Sequence, residues 1–201
     1  MSNKPNTAFE IQESGLYIVK DAVASFPHLD KPNSFDGEAE KAKYSVNVLF
    51  PIDSPAYAEL KKAVGKLMPK GAKPDVSKLP FKEAKSVPES WQDAHGVSAY
   101  TCKLVNKNPI KCFGANGLPV DPASIKGGDR ISVAFEPYWF ESKYGVFCQL
   151  QAKAVLVIGE YLEFGGSGGV TVNDASVFGA AGSKPVHAPT EEDPFGDSVP
   201  F

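Results

Sequence analysis

The chain has 201 residues, with 21 basic and 24 acidic side chains for a formal net charge of -3. At 42% hydrophobic and 22% charged residues it carries enough apolar surface for a core, which excludes global disorder. The length suits one domain of about 150 residues with a tail, or two small ones, and no apolar run approaches the roughly 20 residues of a membrane-spanning helix.

The opening MSNKPNTAFEIQES lacks the apolar stretch of a secretory signal. Cys102, Cys112 and Cys148 form no CxxC pair, and His28, His95 and His187 stand in no ligand spacing. The expectation is a reducing, cytoplasmic setting with no disulfide, no metal and no cofactor. The small net charge hides segregation. Residues 1–40 hold 3 lysines against 7 acids, residues 41–111 hold 13 lysines against 6 acids, and residues 165–201 hold 1 lysine against 5 acids. A basic middle and an acidic end suit a polyanion at one place and something else at another; an ordinary solvated lysine face is the alternative.

In chain order, Leu16–Ala24 is rich in β-branched residues and predicts a strand, broken at Phe26-Pro27 and Lys31-Pro32-Asn33, with a turn at Asp36-Gly37. Tyr44–Phe50 alternates Tyr44, Val46, Val48, Phe50 against Ser45, Asn47, Leu49 and predicts a second strand. Asp53 or Ser54 caps a helix with Pro55 at its first position, and Tyr57, Leu60, Val64, Leu67 and Met68 recur at helical spacing as a core-packing stripe of about four turns. Pro69–Ser98 has no period and reads as a long basic loop.

Ser98–Val105 predicts a third strand and Ile110–Phe113 a short one. Arg130–Phe140 and Gly145–Gly159 predict a hairpin joined by a five-residue link, Glu141–Gly145. The second of these strands is long enough to require a bend or bulge. Its expected faces are Val146, Cys148, Leu150, Ala152, Ala154 against Phe147, Gln149, Gln151, Lys153. From Gly165 the composition changes to GGSGG, GAAGS and an acidic end, so residues 1–164 are expected to form the domain and 165–201 a disordered linker and tail.

Five or more strands with one helix fit a mainly β fold, a five-stranded or slightly larger barrel of the oligonucleotide-binding (OB) type; a β-sandwich is the rival. The stretches YSVNVLF, GDRISVAFEPYWFESKYGVFCQLQAKAVLVIGEYLEFGG and the terminal EEDPFGDSVPF carry a resemblance. The chain resembles the single-stranded DNA-binding proteins of tailed bacteriophages, with an OB-fold body and an acidic C-terminal tail ending in Phe. The resemblance implies DNA replication or recombination in the cytoplasm of a bacterial host. It also implies contact with replication or recombination proteins through Glu191, Glu192, Asp193, Phe195, Asp197 and Phe201, and it admits a homodimer.

Sequence-tolerant binding of single strands needs rings for stacking and cations for phosphates. The chain interleaves the two: Lys43 and Tyr44, Tyr100 and Lys103, Lys107 and Lys111 near Phe113, and Tyr138, Phe140 and Tyr144 around Lys143. Alternation puts Trp139 on the face opposite Tyr138 and Phe140, and we place the latter two toward the groove. Phe50 and Phe135 fall on apolar faces and are assigned to the core. Arg130, the only arginine, either grips phosphate or pairs with Asp129 or a nearby acid. No P-loop, GxSxG or HExxH is present, and Cys102 reads as a structural thiol rather than a nucleophile to His95. The expected function is non-catalytic binding of single-stranded DNA; the alternative is an accessory or structural β-domain, and RNA stays open as a ligand.

Overall fold

The structure, a computed structural model, describes residues 6–34, 37–84 and 99–161. The tail expectations from 165 onward, and His95, lie outside these residues. Among them the chain forms β1 (Ala8–Ile11), β2 (Tyr17–Asn33), β3 (Lys43–Phe50), α1 (Pro55–Lys66), β4 (Phe81–Glu83), β5 (Tyr100–Asn106), β6 (Lys111–Phe113), β7 (Asp129–Ser142) and β8 (Gly145–Tyr161).

Five strands close on themselves. β2 pairs antiparallel with β3 and β7, β3 with β5, and β7 with β8. A short parallel contact, Leu104↔Leu150 and Val105↔Gln151, joins β5 to β8 and completes the ring. This is a closed OB-type barrel rather than a sandwich. The remaining strands are edge covers: β1 lies on β2, β6 runs parallel to β8, and β4 occupies the half of β5 that β8 leaves unpaired. Covering an edge removes a row of unpaired backbone groups.

Alternation fills the interior. Val19 and Ala22 of β2, Val46, Val48 and Phe50 of β3, Cys102 and Leu104 of β5, Ile131, Val133 and Phe135 of β7, and Leu150, Ala152 and Val155 of β8 are buried in one cluster. α1 adds Ala56, Tyr57, Leu60 and Val64 from one stripe. The Tyr57 ring stacks on Tyr100 at 4.4 Å, tilts against Phe50 at 5.4 Å and meets Phe81 edge-on at 6.0 Å, so the helix packs where β3 ends and β5 begins. The helix ends at Lys66, so Leu67 and Met68 of the expected stripe fall beyond it, Leu67 being exposed. The three thiols are free and buried, and burial pushes them up, to about 11 for Cys112 and about 12 for Cys148.

Two of three departures from the sequence reading share one cause, the bulges that bend long strands around a small barrel. β2 does not stop at Pro27. Between Ser25↔Asn47 and His28↔Ser45 it gains one residue on β3, so Pro27 sits in a bulge where no ladder donor is required, and the strand continues to Asn33. β8 gains a residue on β7 between Ala134↔Ala154 and Phe135↔Ala152, which flips the parity of its buried face from Ala152 to Val155, so Ala154, expected on the face of Ala152, does not share its full burial. The β7–β8 link is also tighter than expected. Ser142 pairs with Gly145, leaving Lys143 and Tyr144 as the turn, and Gly145 takes φ +115°, a conformation L-residues avoid.

Another bulge in β2, between Val19↔Val133 and Ala22↔Ile131, places Asp21 at φ +50°. Asp tolerates the left-handed region better than most residues. Its carboxylate accepts from Arg130 Nε at 2.7 Å and from the Asn6 amide at 2.9 Å, while its carbonyl accepts from Thr7 Oγ1 at 2.8 Å. Arg130 thus clamps a bulge to β7. Arg130→Ala is expected to lower the unfolding free energy by about 1.5–3 kcal/mol, the worth of a hydrogen bond to a charged group. The readout is a lower urea midpoint at unchanged m-value; a midpoint equal to the wild type's would mean the clamp carries nothing.

Candidate nucleic-acid interface

The same alternation that fills the core leaves the outer face of β3 and β5 polar. Lys43, Ser45, Asn47 and Leu49 of β3 lie beside Thr101, Lys103 and Val105 of β5 as the floor of a groove of about 680 Å³. One wall is built from the β2 bulge and the end of that strand, through Ser25, Phe26, Asn33 and the adjoining Ser34. Opposite stand the segment Lys78–Ala84 and, from the β7–β8 hairpin, Phe140, Phe147 and Gln149. Five lysines (Lys41, Lys43, Lys78, Lys82, Lys103) line the groove against one acid, Glu83.

The hairpin wall carries a ladder of rings. Tyr138 stacks on Phe140 at 5.7 Å and 19°, and Phe140 on Phe147 at 5.5 Å and 15°. Tyr138 and Phe140 are two residues apart on β7, and Phe140 faces Phe147 across the ladder, so strand geometry alone brings the three together. Tyr138 is 51% exposed, and Lys78 Nζ lies 5.3 Å from the Phe147 ring centre. Trp139 points the other way. It packs against the core, and its indole N–H donates to the Val64 carbonyl of α1 at 3.1 Å.

Lysines this close repel one another. The Lys43 ammonium is held below the usual lysine range, first by burial and then by Lys107 and Lys103. Lysines gathered in this way concentrate positive potential along the groove.

The structure sorts the residues chosen from sequence. Lys43, Lys103 and Phe140 line the groove, Tyr138 extends its ring wall, and Lys107 lies in the field of Lys43. Lys143 and Tyr144 form the hairpin turn, with Lys143 Nζ 4.9 Å from the Tyr144 ring centre and the Tyr144 carbonyl accepting from Lys78 at 3.5 Å. Tyr44 and Tyr100 do not line the groove, because alternation turns both toward the core, against which they pack half-buried. Lys111 is exposed on β6, outside the groove, and Arg130 is engaged by Asp21.

Sequence reading missed Phe26, Lys41, Lys78, Lys82 and Phe147. The signal for Phe147 was present in its face-sharing with Gln149. Lys82 was hidden because β4 has only three residues, and Lys78 because it closes a single 3-10 turn, Val76–Lys78; both are too short for a period to show.

No family model matches the sequence, and no curated protein matches it. Solved structures do. The chain is similar to the single-stranded DNA-binding protein from bacteriophage Enc34 in complex with ssDNA, with a TM-score of 0.62, 21% identity, and coverage of 79% of this chain and 93% of that one. A C-terminal truncation of the Enc34 protein gives a TM-score of 0.59 at 24% identity, covering 80% of this chain and 97% of that one. A further structure of it gives 0.59 at 23%, covering 84% and 98%. At these identities the likeness is one of fold.

The two faces of β7 differ in what a truncation removes. Trp139→Ala is expected to cost about 3 kcal/mol through lost packing and the lost bond to α1, while Tyr138→Ala stays within about 0.5 kcal/mol. Denaturant melts of both variants check this, and equal losses would contradict the face assignment.

Proposed function

We propose that this chain binds single-stranded DNA without strong sequence preference across the β3–β5 groove. The observation that carries the reading is the meeting, in one groove, of lysines and the stacked Phe140 and Phe147 rings, a stack that Tyr138 extends. Lysines attract the phosphates of any nucleic acid, but only an unpaired strand offers the faces of its bases to rings. A duplex keeps those faces in its own stack, so this combination favours single strands. Support also comes from the fold neighbours, which are phage single-stranded DNA-binding proteins, one of them in complex with ssDNA. In this reading the chain is non-catalytic and protects exposed strands during phage DNA replication or recombination in the host cytoplasm.

Fluorescence anisotropy with labelled oligo(dT) and a duplex of equal length tests it. Single-strand binding is expected to dominate. If three to five lysines neutralise phosphates, the log–log salt slope falls at roughly -2 to -3.5. Phe140→Ala weakens binding by about 1–3 kcal/mol, the worth of one stacked base. Equal affinity for duplex, or no binding to either at low salt, would favour an accessory β-domain instead.

The acidic segment Glu191–Asp197 with the terminal Phe201, read from sequence, is proposed to contact replication or recombination proteins and to compete with DNA for the lysines. Removing residues 190–201 is expected to tighten oligo(dT) binding at low salt, where charge is least screened, and to abolish partner retention. Titrations of the truncated and full-length chains that superimpose, with partner retention unchanged, would reduce the segment to a solubility tail.

A further inference from the structure

We propose that Phe26 is a second base-stacking station, at the wall of the groove opposite the Tyr138–Phe140–Phe147 ladder. The inference rests on the single-strand reading above and adds a residue and a path to it.

Phe26 is an unfavourable choice for its place on two counts. Its φ is +46°, in the left-handed region that a bulky L-residue occupies at a cost, and it precedes Pro27, which restricts it further. A ring driven into the core would offset such a cost by burial, yet Phe26 is 66% exposed. Neither the backbone nor packing asks for phenylalanine here; Gly or Asn would suit the bulge better. Residues held in strained conformations with exposed functional side chains are characteristic of binding sites. The consequence of the bulge is positional: Phe26 becomes part of the groove wall beside Ser25.

The strand register then draws a line from Phe26 to the ladder. Ser25 pairs with Asn47, and Asn47 with Lys103. Lys103 precedes Leu104, which pairs with Leu150, so Gln149 is its neighbour on β8. Gln149 pairs with Tyr138. Ser25, Asn47, Lys103 and Gln149 all line the groove. The row crosses four interstrand steps, about 19 Å along the sheet, or about five to six nucleotides at the 3.4 Å stacked rise. A single strand laid along it meets a ring at each end and a lysine between.

Anisotropy titrations of labelled (dT)12 with the full chain, Phe26→Asn and Phe26→Tyr test the assignment, alongside thermal melts. Asn tolerates the left-handed backbone but offers no ring. Phe26→Asn is expected to weaken binding roughly 5- to 100-fold, as loss of one stacked base does. Its salt slope should be unchanged, because no phosphate contact is lost, and its melting midpoint no lower than the wild type's. Phe26→Tyr should bind within about twofold of the wild type. Wild-type affinity in Phe26→Asn, while Phe140→Ala still weakens binding, would overturn this inference alone. A clear fall in its melting midpoint would overturn it too, by making the ring structural. Failure of the wild type to bind (dT)12 would overturn the single-strand reading with it.

Discussion

In the ladder between β3 and β5, every pair from Tyr44↔Asn106 to Phe50↔Tyr100 is in register without a bulge. Because side chains alternate along a strand, this one ladder sends Val46, Val48, Phe50, Cys102 and Leu104 into the core and presents Lys43, Ser45, Asn47, Thr101 and Lys103 to the groove. A slip of one residue would exchange the two sets. The buried set makes such a slip costly, so the core fixes the positions of the lysines. Helix α1, through Tyr57 against Phe50 and Tyr100, holds the same ladder at its end.

Around that regular pair the other barrel strands supply curvature. Bulges in β2 and β8 let long strands wrap a small barrel, and each has a local consequence. At Asp21 the bulge turns a carboxylate toward Arg130, a structural use. At Phe26 it turns a ring to the groove. The hairpin of β7 and β8 extends beyond the barrel contact and raises Phe140 and Phe147 beside the lysine floor. Rigid strands rather than loops therefore carry the rings, which limits what binding must order.

Much of this was legible in the sequence where a period of two ran long enough. Tyr44–Phe50 and Arg130–Phe140 showed their two faces, and Phe50 and Phe135 were assignable to the core. Strand number and the placement of one helix fitted a barrel but left a sandwich as its rival. What escaped was what bulges and short pairings decide. Pro27 read as a strand end because a bulge that excuses a proline leaves no mark in the periodicity. Ala154 read as sharing a face with Leu150 and Ala152 because the parity change in β8 depends on its partner β7. Tyr44 and Tyr100 looked like stacking residues because they neighbour lysines in sequence, yet neighbours on a strand point to opposite faces.

Groove, lysines and rings together make a claim about place: the single strand crosses β3 and β5 and ends against the β7–β8 hairpin. The most direct measurement is a titration of the isotopically labelled protein with unlabelled oligo(dT), tracked residue by residue through backbone amide NMR shifts. The account predicts the largest changes in Lys43–Leu49, Thr101–Val105 and Phe140–Gln149, with little change around Asp21 and Arg130. Changes concentrated on the Asp21–Arg130 side of the barrel or on β6, with the β3–β5 face silent, would contradict it.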